Sequence, residues 1–219
     1  MNDVNSAKLR FSPEEIRLVT DAAWILTKNS VMEKVVRMMA GLSEEYREAW
    51  GSHAWPFGID PGSPKIARGE NYKGLPWVML DYPRVFGRED VLAIRTMFWW
   101  GNAFSVTLHL KGRYREYYLP ALRKGWSGLS DAGFHIGISE DEWRHELDSE
   151  TYRPMKGEED LATGHPFLKL SASLTPDRWE EATGMLRGWF ILLVSVLSNY
   201  YPGDEKGPSP GSSRAGFDL

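Results

Sequence analysis

Cysteine is absent from this chain, which removes disulfides, thiolate catalysis and zinc–cysteine sites in one step and points to a reducing compartment such as the cytoplasm. A surplus of positive charge is missing too. With 26 Lys and Arg against 30 Asp and Glu, a net charge of −4 and a pI near 5.8, no global basic field attracts a phosphate backbone, and nucleic acid is not an expected partner. The longest apolar run, 188–201, follows Arg187 and falls short of the roughly 20 residues a bilayer requires. It reads as a buried core helix, so no membrane partner is expected. Residues 1–10 lack an apolar segment of the signal-peptide kind, and export by a standard signal is not expected. Also lacking are a G-x-S-x-G elbow, an H-E-x-x-H pair, a Walker loop and a G-x-G-x-x-G turn. The sequence therefore names neither a reaction nor a cofactor.

What is present is an ordinary globular composition, 42% hydrophobic and 26% charged over 219 residues, enough for one generous domain with a sizeable core. No linker divides it, so 1–201 is read as a single domain and the Gly-, Pro- and Ser-rich 202–219 as a tail. The ten Trp suit cores, sugar-binding platforms and interfaces alike.

Helix starts are well marked. Ser12-Pro13-Glu14-Glu15 supplies an N-cap, a first-turn proline and a capping-box acid, with Phe11 and Ile16 as the matching staple. A second box, Ser30 to Glu33, divides 13–49 into two or three helices, with a break near Gly41. The Gly- and Pro-rich stretch 51–76 predicts a long irregular connection, of the kind that often serves as a lid. Strands are predicted at 77–82, 93–100, 103–110, 134–139 and 167–174, and helices at 112–124, from Ser139 through the Glu142 box, and from Thr175-Pro176 to about Asn199. The fold class is α+β, an antiparallel sheet of about five strands with helices packed on one face.

Candidate chemistry comes from the hairpin around Gly101-Asn102. A two-residue turn sets Trp99 opposite Phe104, Met97 opposite Val106 and Arg95 opposite Leu108 on the helix-covered face. The other face then carries Phe98, Trp100, Thr96, Ser105, Thr107 and His109, and alternation in the last strand adds Lys169, Ser171 and Ser173. The ligand-binding set is therefore Phe98, Trp100, Ser105, Thr107, His109, Lys169 and Ser171, roofed by part of 51–76, since large aromatics facing away from a helical core need other cover. Donors of this kind suit an anionic or polyhydroxylated small molecule. An enzyme is the alternative, with His109 as acid or base beside Asp81 or Lys169. A protein-interaction module anchored by exposed tryptophans is a third.

Weaker patterns fit bland explanations. Asp81, His109 and His135 are metal-ligand types without convergent spacing, so no metal is expected. Glu142 and His145 have the E-x-x-H spacing of di-iron bundles, but the companion helices are absent and a solvated first turn suffices. Lys111, Arg113, Arg115, Arg123 and Lys124 interleave with tyrosines as a solvated helix would. The stretches Gly74-Leu75-Pro76-Trp77-Val78-Met79-Leu80-Asp81-Tyr82-Pro83-Arg84 and Phe98-Trp99-Trp100-Gly101-Asn102 resemble segments of uncharacterised bacterial proteins of Bacteroidetes type. The resemblance covers the middle third of the chain. It implies a bacterial origin and transfers no catalytic residue.

Overall fold

In the computed structural model, residues 10–157, 161 and 164–199 are described; the segment read as a tail, 202–219, lies outside them. The chain opens with α1 (Pro13–Thr20), whose capping box forms in both directions: Glu15 N–H donates to Ser12 Oγ at 3.2 Å and Ser12 N–H to Glu15 Oε2 at 2.7 Å. Asp21 then caps α2 (Ala22–Gly51) by accepting from the Ala23 amide at 3.0 Å. The expected break at Gly41 does not occur. Lys28, Met32, Val35, Met39, Leu42, Tyr46 and Trp50 form one buried stripe along all but the first turns of the helix, and its packing outweighs the ~1 kcal/mol that a mid-helix glycine costs.

The sheet comprises β1 (Lys65–Tyr72), β2 (Leu75–Phe86), β3 (Val91–Trp99), β4 (Ala103–Lys111), β5 (His135–Gly137), β6 (Tyr152–Pro154) and β7 (Phe167–Leu174). Its order is β1-β2-β3-β4-β7-β5-β6, and every neighbouring pair is antiparallel. The fold is α+β, as expected, with seven strands among the described residues rather than about five. The two additions are β6, three residues long, and β1, whose eight residues lie within the stretch 51–76 read as irregular. The polar sequence of β1 hides its alternation. Its turn into β2 is Lys73-Gly74, both at positive φ (51° and 83°), the conformation a two-residue hairpin demands.

Three further helices, α3 (Arg113–Lys124), α4 (Trp126–Asp131) and α5 (Trp179–Ser198), complete the described fold. Pro120 is carried inside α3 and does not end it. One stretch, Pro176–Ser198, is long and apolar enough to cross a membrane by length and composition. Here Leu186, Trp189, Phe190, Leu193, Val194 and Leu197 are buried in the core. Tyr46 joins the helices to the sheet: its ring stacks on Phe190 at 3.7 Å, and its hydroxyl meets Thr96 Oγ1 at 3.2 Å and donates to the Leu186 carbonyl at 3.1 Å.

The central hairpin differs from expectation by one residue of register. Phe98 pairs with Phe104, Met97 with Ser105, Arg95 with Thr107 and Ala93 with His109, around a three-residue turn, Trp100-Gly101-Asn102. Asn102 N–H closes it by donating to the Trp99 carbonyl at 3.0 Å. The expected register would have put Arg95 against Leu108 in the helical core, where an unpaired guanidinium is prohibitively costly. The observed one lets Leu92, Ile94 and Phe98 join Phe104, Val106, Leu108 and Leu110 in that core.

Candidate functional site

The register decides which residues share the second face of the sheet. Asp81, Arg95, Thr107 and Ser171 are successive cross-strand partners on it, and His109 is paired with Lys169. Ser105 lies there with Met97 and Ser173. Of the sequence-derived ligand set, Ser105, Thr107, His109, Lys169 and Ser171 are therefore together, and Asp81 with them. Phe98 and Trp100 are corrections. Phe98 is buried on the helical side, and Trp100 sits in the turn beside Trp24 and Thr27 of α2. Met97 and Trp99 take their places on the second face.

The roof is also corrected. Residues 51–76 do not form a roof over this face: 65–72 are its edge strand, β1. The cover is the segment 139–151, between β5 and β6, which forms no helix. Its expected capping box fails because Glu142 is drawn to the sheet: Lys111 Nζ donates to Glu142 Oε1 at 2.7 Å, and His109 Nε2 meets Glu142 Oε2 at 3.1 Å. The Lys169 ammonium donates to the backbone carbonyls of Glu142, at 3.1 Å, and of Arg144. Arg95 forms a bidentate pair with Asp81 at 2.7 and 2.8 Å, and its Nη1 lies 2.8 Å from His145 Nε2. Glu146 accepts from the Tyr72 hydroxyl at 2.7 Å and is ion-paired with Lys73 and Arg144.

These contacts fix the protonation of both histidines. A carboxylate only accepts, so His109 carries its hydrogen on Nε2; a guanidinium only donates, so His145 presents a bare Nε2 and carries its hydrogen on Nδ1. Burial, with Lys169 nearby, lowers His109 to about 4, and the same burial with Lys169 and Arg95 lowers His145 to about 3. Burial and the Arg95 charge lower Lys169 to about 8. Burial alone would raise Glu146, but hydrogen bonds from Lys73 and Tyr72 outweigh it and hold the carboxylate at about 2. Burial and Glu146 push Tyr72 up to about 12. Thr107 and Ser171 satisfy each other at 2.8 Å. The space left among His109, Arg95, Lys169 and Trp143 is about 10 Å³, room for one water at most.

Along one side of this cover, the 139–151 strap, the face opens. Beside it, toward the hairpin turn, lies a cleft of about 520 Å³, within the 300–1,000 Å³ range of small-molecule sites. Met97 and the Trp99 indole form its apolar part, with Ser105 and Ser173 beside them. Lys73, Glu146, Asp148 and Arg178 bring both signs of charge to its walls. Trp99 is held in place by its Nε1–H, which donates to the Tyr72 carbonyl at 3.2 Å, and by edge contact with the Tyr72 ring at 5.2 Å. Asp81, His109 and His135 do not converge. Asp81 is paired with Arg95, His109 with Glu142, and His135 Nδ1 with the Gly133 carbonyl. Among the described residues no group of three or more His, Asp or Glu is placed to hold a metal.

Sequence reading missed Arg95, Tyr72 and Glu146, and it assigned Glu142 and His145 to a helix. The available signal was the density of acids and His in 139–151, beside a strand face short of partners for Lys169. No protein-family model, curated protein or solved structure matches this chain, so the function is argued from the residues themselves.

Proposed function

We propose that this chain binds a small polyhydroxylated molecule in the cleft beside the 139–151 strap. The carrying observation is the convergence on one 520 Å³ cleft of a rigidly held Trp99 indole, two serine hydroxyls and charged groups of both signs. An indole face takes the apolar face of a sugar-like ring, and alternating donors and acceptors match hydroxyl groups that are each both donor and acceptor. Lys73, paired with Glu146, and Arg178, paired with Glu181, stand where an anionic substituent would compete with those carboxylates for them. The acid–base alternative has less behind it. His109 is committed to Glu142, and the space against it has no room for a substrate.

The test is a thermal-shift screen with sugars, sugar phosphates, nucleotides and small carboxylates. A ligand at about 100 times its Kd adds about 2.7 kcal/mol to stability, a Tm rise on the order of 5–10 °C for a chain of this size. The rise is expected to vanish in Trp99→Ala and to persist in Trp100→Ala, whose indole lies outside the cleft. No response to any class, or a response unchanged in Trp99→Ala, overturns the reading.

A further inference from the structure

A second cavity, of about 240 Å³, adjoins the cleft on the same face of the sheet, and Leu147, Asp148 and Ser173 line both. The sheet carries one floor beneath the two. Trp99 stands opposite Ala103 between β3 and β4, Ser105 opposite Ser173 between β4 and β7, and Ser171 opposite His135 between β7 and β5. From Trp99 to His135 the floor therefore crosses three strand spacings, roughly 14 Å, and it runs diagonally along the strands as well. A six-membered ring with bonds of about 1.5 Å spans only about 5–6 Å with its substituent oxygens. One such ring reaches one end of this floor and not both.

Each end of the path has a flat ring. Opposite the Trp99 indole, the His135 imidazole is fixed by its Nδ1–H, which donates to the Gly133 carbonyl at 3.0 Å, so its Nε2 is left as an acceptor. Pro154, its cross-strand partner, extends the ring surface onto β6. Between the ends lie polar atoms without protein partners. The hydroxyls of Ser105 and Ser173 bond to no described residue, whereas Thr107 and Ser171 satisfy each other at 2.8 Å. Ser105 is buried, and a desolvated hydroxyl left without a partner is costly. At the junction Asp148 is held by its Oδ1, which accepts from the Glu150 and Thr151 amides at 3.1 and 3.0 Å and from the Thr151 hydroxyl at 2.8 Å. Its Oδ2 takes no bond from a described residue and is open to a donor.

We infer that the two cavities act as one groove for a neutral oligosaccharide of three or more units, lying from Trp99 to His135. This rests on the sugar-binding reading of the Trp99 cleft and extends it. Length sets the number of units, since both ring surfaces are engaged only by a chain. Charge sets their kind. The second cavity is lined by no Lys or Arg, and its one carboxylate, Asp148, repels an anionic unit. The cations Lys73 and Arg178 stand at the Trp99 end, each already paired with a carboxylate. Neutral sugar hydroxyls, each both donor and acceptor, match a row of two serine hydroxyls, a carboxylate oxygen and an imidazole nitrogen.

Isothermal titration calorimetry of the full chain with neutral oligomers of glucose, mannose and N-acetylglucosamine, from one unit to five, tests this. The Kd is expected to fall about tenfold or more between one unit and four, from the added ring contact and hydrogen bonds, and then to level. His135→Ala is expected to bring that ratio close to one. The imidazole also gives a readout without substitution: the His135 Cε1–H signal in NMR is expected to shift with the four-unit oligomer and to stay in place with the single sugar. A Kd independent of length overturns the groove and leaves the Trp99 cleft as a single-ring site. A length dependence that survives His135→Ala overturns the path to β5. Binding by no sugar of any length overturns the groove together with the reading on which it rests.

Discussion

Two histidines influenced by one lysine are held in opposite tautomers, His109 donating to a carboxylate and His145 accepting from a guanidinium. Neither arrangement tolerates a further proton easily, because burial disfavours the charged ring and Lys169 and Arg95 add positive charge beside both. Lys169 is the pivot. Its ammonium is buried against strap carbonyls, and removing it as Lys169→Met leaves those carbonyls without a donor, at about 1–3 kcal/mol each. The same change deletes a charge that depresses both imidazoles. Their NMR titrations in the variant are therefore expected to move up from about 4 and about 3 toward the usual 6.5. Titrations that stay where they are would assign the depression to burial alone. None of this pairing was legible from composition. His109 and Lys169 were visible as strand residues of one parity, whereas their partners come from a loop whose path no periodicity describes.

At the scale of elements, legibility followed the strength of the burial pattern. From Phe104 in β4 and Leu168 in β7 onward, apolar and polar residues alternate, so their faces could be read from sequence and Ser105, Thr107, His109, Lys169 and Ser171 emerged together. β3 carries Trp, Phe and Met on both parities, and its face was set by a turn hypothesis instead. One extra residue in that turn moved Phe98 into the core and brought Trp99 out. β1 was missed because Ile66, Ala67 and Tyr72 are too few among its charged residues, Gly69 and Asn71 to show an alternation, although Asn71-Tyr72-Lys73-Gly74 marks its hairpin: the Gly74 amide donates to Asn71 Oδ1 at 2.9 Å. The three-residue turn has its own signature, since Gly101 sits at φ 71°, where a side chain is strained. Gly101→Ala is expected to cost about 1 kcal/mol or more in urea unfolding with the m-value unchanged. A neutral result would mean that the turn relaxes to another type, and with it the register on which the Trp99 cleft depends.

For the whole molecule, the strap ties stability to pH through its buried histidines, Glu146 and Lys169. His109 and His145 bind a proton at about 4 and about 3 when folded, against 6.5 in the open chain. Between pH 6.5 and 4 the unfolded chain therefore holds more protons, and acidification favours unfolding. Each unit of such a shift is worth about 1.4 kcal/mol, so the two buried imidazoles together give a loss on the order of several kcal/mol across that window. Glu146 extends the loss: its folded carboxylate stays ionised down to about 2, while the unfolded one takes up its proton near 4.5. On the alkaline side Lys169 acts with the same sign. Folded, it releases its proton near 8; unfolded, it keeps it to 10.5, so raising the pH through that interval relieves a buried charge and adds stability. Tyr72 ends the rise, because the unfolded phenol ionises near 10 while the folded one holds its proton to about 12. The stability maximum is thus expected on the alkaline side, near pH 9–10, rather than in the usual range of about 5–8. Urea midpoints measured at pH 4.5, 7 and 9.5 should climb in that order. The climb from 4.5 to 7 should be shallower in His145→Gln, which accepts from Arg95 through its amide oxygen without titrating. A maximum at neutral pH, or a His145→Gln profile parallel to wild type, would mean that the strap lets water reach its histidines, and that the second face of the sheet is a wet binding surface along its whole length.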